Sequence, residues 1–321
     1  MLDALLLIGG LAIIIAAANL LVEGASSIAH KLRVSDLAIG LTIVAFGTSA
    51  PELAVSVTAA ASGNTTLALG GVIGSNIANI LLILGCSAIV YPLAIQESTQ
   101  WKEVPFSLMA VIAVAICAND LIIDGAGPNR ISRIDGLILL LFFSIFLYYS
   151  YRLAKRGGAA EPDAHVRELP VWRSIAYIVI GLGGLFLGGQ MLVKGAVGVA
   201  MRIGMSESMV GLTIVAVGTS LPELATSIVA AIKKKPDIAV GNVVGSNIFN
   251  IFFVLGATAV ITPIPLAAAS NIDIMVAMTA TVLLFMTAFT FRERTIDRTE
   301  GIVFVALYIG YIVYLVVTQI N

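Results

Sequence analysis

The sequence predicts an all-α integral membrane protein in which ten transmembrane helices form two inverted five-helix repeats. Three observations support this prediction. First, 59% of the 321 residues are hydrophobic and only 12% are charged, whereas soluble domains carry about 25% charged residues. Second, ten apolar segments are long enough to cross a bilayer as helices. Third, the chain contains an internal repeat at an offset of 171 residues.

The apolar segments have the length that a membrane-spanning helix needs, about 20 residues. They are continuously apolar rather than alternating, which argues against a transmembrane barrel. The predicted spans cover residues 2–23, 37–62, 67–91, 104–123, 132–152, 173–199, 207–232, 237–262, 271–291 and 299–319. The first is interpreted as a retained helix and not a signal peptide, because it has no positively charged start and no small-residue cleavage site.

One connection, from Leu153 to Val171, is long and polar and divides the chain into two halves. We therefore expect a first five-helix repeat over residues 1–152, a linker over 153–171 and a second five-helix repeat over 172–321. Because five is an odd number, the second repeat enters the membrane upside down relative to the first. Inverted repeats of this kind place a transporter's substrate site at their interface, near the midplane.

The positions of Lys and Arg predict the orientation in the membrane, since basic residues concentrate in cytoplasmic loops. Fourteen of the 18 basic residues fall on the side that holds the linker. We therefore expect a multi-pass protein of the plasma membrane with a cytoplasmic linker and both termini outside the cell. The run Lys233–Lys235 is interpreted as a topology anchor.

The strongest part of the repeat comprises residues 40–85 and 211–256, which align without a gap and are identical at about 27 of 46 positions. Each copy places one glutamate, Glu52 or Glu223, directly after a proline in an apolar segment. A carboxylate at the centre of a membrane helix costs about 2.5–3.5 kcal/mol on insertion scales. A bound cation or a proton offsets this cost, so the repeated acid indicates a cation site between the two halves.

The prolines beside the two acids provide further candidate ligands. Proline has no N–H, so the carbonyls of Gly47 and Gly218, four residues earlier, lose their helical donors. Hydroxyl groups lie within one turn, on Thr48, Ser49, Thr219 and Ser220. The alternative explanation for a lone proline in a membrane helix is a structural kink, which is about as common as a functional role. The alternative for a lone Ser or Thr is a hydrogen bond to the backbone of its own helix. Neither explanation accounts for an acid after the kink in both copies.

A second repeated motif, Gly-Ser-Asn, follows in the next segment of each copy. Asn79 and Asn250 come four residues after Ser75 and Ser246, so each pair shares a helix face. Amide and hydroxyl oxygens suit Ca²⁺ and Na⁺, because hard cations select oxygen ligands. Close helix packing is the alternative, because small residues recur at a spacing of four at Gly70, Gly74, Gly241 and Gly245. The first asparagine of each motif points elsewhere, and we expect it to form hydrogen bonds between helices.

The pairs GTSAPE with GSNIAN, and GTSLPE with GSNIFN, resemble the α-repeats of the cation/Ca²⁺ exchanger superfamily, specifically those of prokaryotic sodium/calcium exchangers. The resemblance covers essentially the whole chain. It implies alternating access at clustered sites, with one Ca²⁺ exchanged for about three Na⁺. The metal ligands that it implies are the acids Glu52 and Glu223, the backbone carbonyls of Ala45, Thr48, Ala216 and Thr219, the hydroxyls of Ser49, Ser75, Ser220 and Ser246, and the amide of Asn79, with Asn250 at the matching position.

Exchangers of this family often carry Asp where this chain has Asn250. Two glutamates still balance the charge of one Ca²⁺, so Ca²⁺ binding is expected to survive the change. The substitution affects instead the expected identity and number of the counter-ions, including whether protons replace Na⁺.

The sequence therefore predicts a secondary antiporter that exchanges Ca²⁺ for Na⁺. An H⁺/Ca²⁺ antiporter and a K⁺-dependent antiporter are the alternatives, and a cation channel is disfavoured by the inverted repeats. No enzyme is expected, because no predicted span contains histidine and no HExxH or GxSxG motif is present. With a net charge of −1, no nucleic acid is expected as a partner. We also expect no cofactor and no obligate protein partner, only the lipid bilayer and the transported ions.

Overall fold

The protein, seen in a computed structural model, is predominantly helical. The structure describes residues 2–63, 65–123, 125, 128–155, 169–202, 216–267, 270–287, 289–290 and 294–320. Its α-helices are α1 (Leu2–Leu32), α2 (Asp36–Ile39), α3 (Ala45–Thr48), α4 (Ala50–Ala61), α5 (Thr65–Ala78), α6 (Gly85–Val90), α7 (Val104–Cys117), α8 (Asp120–Ile123), α9 (Arg133–Lys155), α10 (Val171–Arg202), α11 (Ala216–Thr219), α12 (Leu221–Ile232), α13 (Pro236–Ile248), α14 (Gly256–Ile261), α15 (Ser270–Thr287) and α16 (Arg298–Ile320). Within the described residues, π-helical turns connect or extend them at Gly40–Val44, Asn79–Leu84, Thr99–Glu103 and Phe249–Leu255.

The described residues contain eight helical segments that are long and apolar enough to cross a membrane, and the bent pair Asp36–Thr48 and Ala50–Ala61 gives a ninth. These nine correspond to nine of the ten predicted spans, which confirms a multi-pass helical membrane protein. The remaining prediction, 207–232, is seen from residue 216 onward, and its earlier part lies outside the described residues. Residues 156–168 of the predicted linker also lie outside them.

Two helix ends differ from the sequence prediction because polar contacts set them, and hydropathy does not detect such contacts. Helix α1 continues well past residue 23, and its Ser27 hydroxyl accepts a hydrogen bond from the backbone N–H of Leu169 at 2.9 Å. Helix α7 ends before residue 123, where the Asn119 amide donates to the carbonyl of Ala115 at 2.8 Å. This side chain takes the carbonyl that a continuing helix would have used.

Helices α1 and α10 form a long antiparallel pair. Glycines allow their backbones to approach closely, as small residues do between membrane helices. A Cβ atom at Gly10 would lie only 2.7 Å from the backbone nitrogen of Leu192, and one at Gly181 only 2.8 Å from that of Leu21. These contacts run in opposite order along the two helices, which shows that the helices are antiparallel. Helices α1 and α10 are the first helices of the two halves, so the halves contact each other through equivalent helices.

The two proline motifs break their helices in the same way. Ser49 ends α3 with φ −84° and ψ 5°, and Ser220 ends α11 with φ −86° and ψ 5°. Each proline, Pro51 or Pro222, then lies in the first turn of the following helix, where its missing N–H leaves no carbonyl of that helix unpaired. In the first copy the two segments meet at 43°. The breaks place a serine and a glutamate of each copy on either side of a bend.

Helix α13 packs closely on the π-helical turn Gly40–Val44. A Cβ atom at Gly245 would lie 2.7 Å from the carbonyl oxygen of Leu41 and 2.8 Å from the Cβ of Ala45. The close packing that the glycine spacing suggested is therefore present in the second copy. In the first copy, no described atom lies within 4 Å of a Cβ placed at Gly70 or Gly74.

In the part of the chain that the structure describes, two short antiparallel strand pairs connect loops of the two halves. Strand β1 (Leu93–Ala94) pairs with β4 (Thr295–Ile296), and β2 (Arg130–Ile131) pairs with β3 (Ile264–Pro265). The sequence analysis did not predict them, because a two-residue strand is too short to show an alternating pattern. Each pair joins the first half of the chain to the second, outside the membrane-spanning helices.

Candidate ion-binding site

The two repeated acids lie in the interior of the molecule. Glu52 and Glu223 each occupy the first turn of the helix that follows a proline break, and they are 4% and 0% exposed. An acid in this first turn is close to the positive end of the helix dipole, which favours the charged carboxylate. The break therefore both positions the acid and partly stabilises its charge.

Hydroxyl groups of each repeat reach the carboxylate of the other. The Ser49 hydroxyl donates to Glu223 Oε1 at 2.9 Å, and the Ser220 hydroxyl donates to Glu52 Oε1 at 3.5 Å. Ser75 lies beside both residues of the second contact, 3.4 Å from Glu52 Oε1 and 3.0 Å from the Ser220 hydroxyl. The two acids and their serines thus form one buried polar cluster that both repeats build.

The asparagines of the two Gly-Ser-Asn motifs hold one another in a reciprocal arrangement. The Asn79 amide nitrogen donates to Asn247 Oδ1 at 2.9 Å, and that of Asn250 donates to Asn76 Oδ1 at 3.2 Å. Asn76 and Asn247 also donate to each other's backbone carbonyl, at 3.1 and 3.3 Å. Their expected interhelical hydrogen bonds are therefore present. Asn76 and Asn247 in turn orient the side chains of Asn79 and Asn250. Because the amide nitrogens of Asn79 and Asn250 are held by these hydrogen bonds, their amide oxygens point away from Asn76 and Asn247.

Four buried oxygens at the site accept no hydrogen bond from any residue that the structure describes. They are Glu52 Oε2, Glu223 Oε2, Asn79 Oδ1 and Asn250 Oδ1. Buried polar atoms are normally paired, and one left unpaired costs about 1–3 kcal/mol. Two carboxylate oxygens and two amide oxygens are the ligands that Ca²⁺ prefers.

The remaining predicted ligands lie around this cluster. The Ala45 carbonyl is 3.4 Å from the hydroxyl of Ser246, and the Thr219 hydroxyl hydrogen-bonds to Glu52. The Thr48 side chain likewise contacts Glu223, and its hydroxyl lies 3.0 Å from Asn242 Oδ1. Ala216 opens helix α11, and its side chain is outside the described set.

Sequence reasoning missed Asn242 as a site residue. Its side chain is 0% exposed and contacts Thr48 of the first repeat and Glu223 of the second. The one available signal was a difference between the copies, since the matching position at an offset of 171 is Gly71. A search for repeated residues passes over such a position.

A cavity of about 620 Å³ lies between α4, α10 and the second proline motif. Its wall includes Val55 and Lys194, which are exposed, and Thr219 and Pro222 of the site. Thr219 is half-buried. The cavity therefore connects one end of the helices with the edge of the acid cluster.

Two further acids near helix starts, Asp135 and Glu300, have structural partners away from the site. Asp135 accepts hydrogen bonds from both the backbone N–H and the hydroxyl of Ser132, at 2.7 and 2.6 Å. Glu300 accepts from the backbone N–H of Asp297 at 2.9 Å. Both are capping contacts at helix starts.

Known proteins match this chain along nearly its whole length. The chain matches the family model described as sodium/calcium exchanger protein over residues 2–152 and 173–317. It is 40% identical over 310 residues to the putative antiporter CaxA of Alkalimonas amylolytica, covering 94% of this chain and 95% of that protein. It is 28% identical to the sodium/calcium exchanger MaX1 of Methanosarcina acetivorans, covering 97% of each. Among solved structures it resembles the sodium–calcium exchanger NCX_Mj, with a TM-score of 0.83, 33% identity and 98% of each chain covered.

Proposed function

Since the chain belongs to the sodium/calcium exchanger family, we propose that it is a secondary antiporter that exchanges Ca²⁺ for Na⁺ across the plasma membrane. The proposed exchange takes place by alternating access at the acid cluster, where the two inverted repeats meet. The proposed ratio is about three Na⁺ per Ca²⁺, so one net charge crosses per cycle, and 100 mV contributes about 2.3 kcal/mol.

The observation that carries this proposal is the set of four unpaired buried oxygens. Glu52 and Glu223 together supply two negative charges, which balance one Ca²⁺, and Asn79 and Asn250 supply neutral oxygens. Ca²⁺ takes six to eight oxygen ligands at about 2.3–2.6 Å. The predicted carbonyl ligands at Thr48 and Thr219 would add to the four side-chain oxygens.

The serines explain why the exchange would be an antiport. Ser49 and Ser246 lie on one flank of the acids, near the Ala45 carbonyl, and Ser75 and Ser220 lie on the other. Na⁺ on these flanks would share the same two carboxylates as Ca²⁺. Since two negative charges cannot balance Ca²⁺ and several Na⁺ at once, either ion would displace the other.

The cavity beside Thr219 is the proposed route of access from one side. By the distribution of Lys and Arg this is the outer side, with the linker in the cytoplasm and both termini outside. On this proposal the cavity opens toward the outside, while the two carboxylates themselves remain buried.

Ca²⁺ uptake into liposomes that contain the purified protein tests the function. We expect ⁴⁵Ca²⁺ to accumulate in Na⁺-loaded liposomes diluted into Na⁺-free buffer, and to respond to an imposed voltage. Uptake that follows a pH gradient and ignores Na⁺ would instead indicate an H⁺/Ca²⁺ antiporter. A strict K⁺ requirement would indicate the K⁺-dependent type, and passive Ca²⁺ flux without any counter-ion would overturn antiport in favour of a channel.

A further inference from the structure

The cavity beside Thr219 has a mostly apolar wall. Aliphatic and aromatic side chains form most of it, among them Val55, Leu185 and Phe186. Val55 is 43% exposed and Phe186 is 42% exposed, so this apolar surface is open to whatever fills the cavity. The volume of about 620 Å³ lies in the range of about 300–1,000 Å³ that is usual for small-molecule pockets. Apolar walls offer a cation no oxygen ligand, whereas an alkyl chain packs against them favourably.

Lys194 is the one charged residue among the described residues that line the cavity. Its side chain is exposed, and none of the ion pairs between described residues includes it. Two turns further along α10, Arg202 is paired with Asp3 at 2.7 Å. Gln190 lies one turn before Lys194, on the same helix face, and also lines the cavity. An ammonium group and an amide N–H on one wall suit the two oxygens of a carboxylate.

The cavity is elongated along the helices that form it. On α4 its lining extends from Pro51 to Ser62, which is about 16 Å at a helical rise of about 1.5 Å per residue. On α10 it extends from Leu185 to Lys194, which is about 14 Å. The positive charge therefore lies at the end of the cavity where α4 ends, and Thr219 lies at the opposite end, beside the proline motifs. A molecule with one anionic head and one alkyl chain matches this arrangement.

We propose that the cavity binds a long-chain fatty acid, with its carboxylate at Lys194 and its alkyl chain extending along α4 and α10 toward Pro222. One lysine matches one carboxylate, and a slot of this volume suits a single chain, whereas a phospholipid brings two chains and a larger head group. The bound chain closes the route by which ions are proposed to reach Thr219, so the fatty acid inhibits exchange. The binding itself is independent of transport, and only this inhibition rests on the proposed function.

Fluorescence quenching in liposomes measures the binding. Phe186→Trp places a reporter in the cavity wall, and Trp101→Phe with Trp172→Phe makes it the only tryptophan of the chain. Dibromostearate, a fatty acid whose bromines quench tryptophan on contact, should quench this reporter in a saturable manner. Leu187→Trp is the matched reporter, because Leu187 is 58% exposed and is not among the described lining residues. It should detect only the dibromostearate dissolved in the bilayer, without saturation.

Two substitutions test the proposed contacts. Lys194→Gln removes the charge and should raise the half-saturating dibromostearate concentration about 2- to 5-fold, the size expected for one exposed ion pair. Gly189→Leu should abolish the saturable quenching, because Gly189 lines the cavity and no described atom lies within 4 Å of a Cβ placed there. Gly183→Leu is its control, since a Cβ there is equally free of contacts but Gly183 is not among the described lining residues. If Gly189→Leu does not fold, Val55→Phe fills the same space.

Stearate should also slow Na⁺-driven ⁴⁵Ca²⁺ uptake, and Lys194→Gln should raise the half-inhibitory concentration by the same factor of about 2 to 5. Stearylamine, which has the same chain and the opposite charge, should not displace dibromostearate. Equal quenching by a dibrominated phosphatidylcholine at equal bromine content would overturn the inference, because ordinary lipid would then fill the cavity. Unchanged saturation in both Lys194→Gln and Gly189→Leu would overturn it as well, and saturable binding that leaves exchange unaffected would overturn the closing of the route. Saturable binding to a wild type that shows no Na⁺-driven exchange would instead refute the proposed function and leave the fatty-acid site standing.

Discussion

Replacing either buried glutamate by glutamine should abolish Ca²⁺ exchange, and the structure indicates how. Glu223 Oε1 accepts the Ser49 hydroxyl at 2.9 Å, while Oε2 is unpaired among the described residues. A glutamine nitrogen cannot accept this proton, so the amide oxygen of Glu223→Gln would occupy the Oε1 position. Its NH₂ group would then face the ion. The substitution therefore removes a charge and also replaces a ligand oxygen by a hydrogen-bond donor.

The magnitude follows from the burial of the site. Glu223 is 0% exposed and Glu52 is 4% exposed, so water screens their attraction to a cation very little. Truncating one partner of a buried charge pair costs about 2–5 kcal/mol. This range corresponds to a loss of Ca²⁺ affinity of about 30-fold to several thousand-fold. Loss of the ligand oxygen places both variants in the upper part of this range.

Transport and binding should be measured on the same preparations. Uptake of ⁴⁵Ca²⁺ into Na⁺-loaded liposomes reports exchange, and Ca²⁺-induced thermal stabilisation reports binding. At a Ca²⁺ concentration about 100 times the wild-type Kd, the ligand stabilises the wild type by about 2.7 kcal/mol. A variant with about 100-fold weaker binding would be stabilised by only about 0.4 kcal/mol at the same concentration.

Glu97→Gln is the matched control for charge removal. The Glu97 side chain is 69% exposed and pairs with Arg294 at 3.3 Å, and such surface pairs contribute about 0–1 kcal/mol. Its exchange activity should equal that of the wild type. The assignment of the site fails if Glu52→Gln and Glu223→Gln both retain Na⁺-driven uptake and Ca²⁺-induced stabilisation.

Three further outcomes are expected. Gly245→Ala should destabilise the protein by about 1–3 kcal/mol in denaturation assays, because its Cβ would lie 2.7 Å from the Leu41 carbonyl oxygen. Gly74→Ala should have little effect on stability, and equal effects of the two substitutions would contradict the packing described. Asn247→Leu should raise the half-saturating Ca²⁺ concentration about 3- to 10-fold, because the Asn79 amide loses the acceptor that orients it. An unchanged half-saturating concentration in flux assays would show that Asn247 does not orient Asn79. An inside-negative potential should retard Ca²⁺ uptake driven by internal Na⁺ if about three Na⁺ leave per Ca²⁺, and uptake that is indifferent to valinomycin-clamped voltage would exclude this ratio.

The sequence predicted the helix breaks correctly because they depend on local chemistry. A proline without an N–H interrupts a helix wherever it stands, and the two copies give nearly the same backbone angles at Ser49 and Ser220. The repeat also implied that the two motifs meet. What it could not give was the pairing across the interface, such as the Ser49 hydroxyl on Glu223. Such contacts depend on the relative placement of helices more than 170 residues apart in the chain.

The roles of the four asparagines were predictable only in part. Spacing along a helix places Asn79 on the same face as Ser75, and it separates both from Asn76. It does not show that Asn76 would hold the amide of Asn250 from the other repeat. Asn242 was overlooked for the opposite reason, since its importance lies in a difference between the copies and not in their similarity.

The two ends of the molecule differ in structure, and the difference has a basis in sequence. At the Lys/Arg-rich end, the Lys233 ammonium donates to the Asn19 carbonyl at 3.1 Å and lies 4.0 Å from Glu23. At an offset of 171, Ser62 takes the place of Lys233, and Lys194 takes the place of Glu23. The same contact therefore cannot form at the other end, where the cavity lies. Among the described residues, the cavity end instead holds the ion pair of Arg202 with Asp3 at 2.7 Å, between α10 and α1. On the proposed alternating-access cycle, different polar contacts would therefore have to part at the two ends. Repeats with equal ligands can thus still give a transporter whose two facing states differ in free energy.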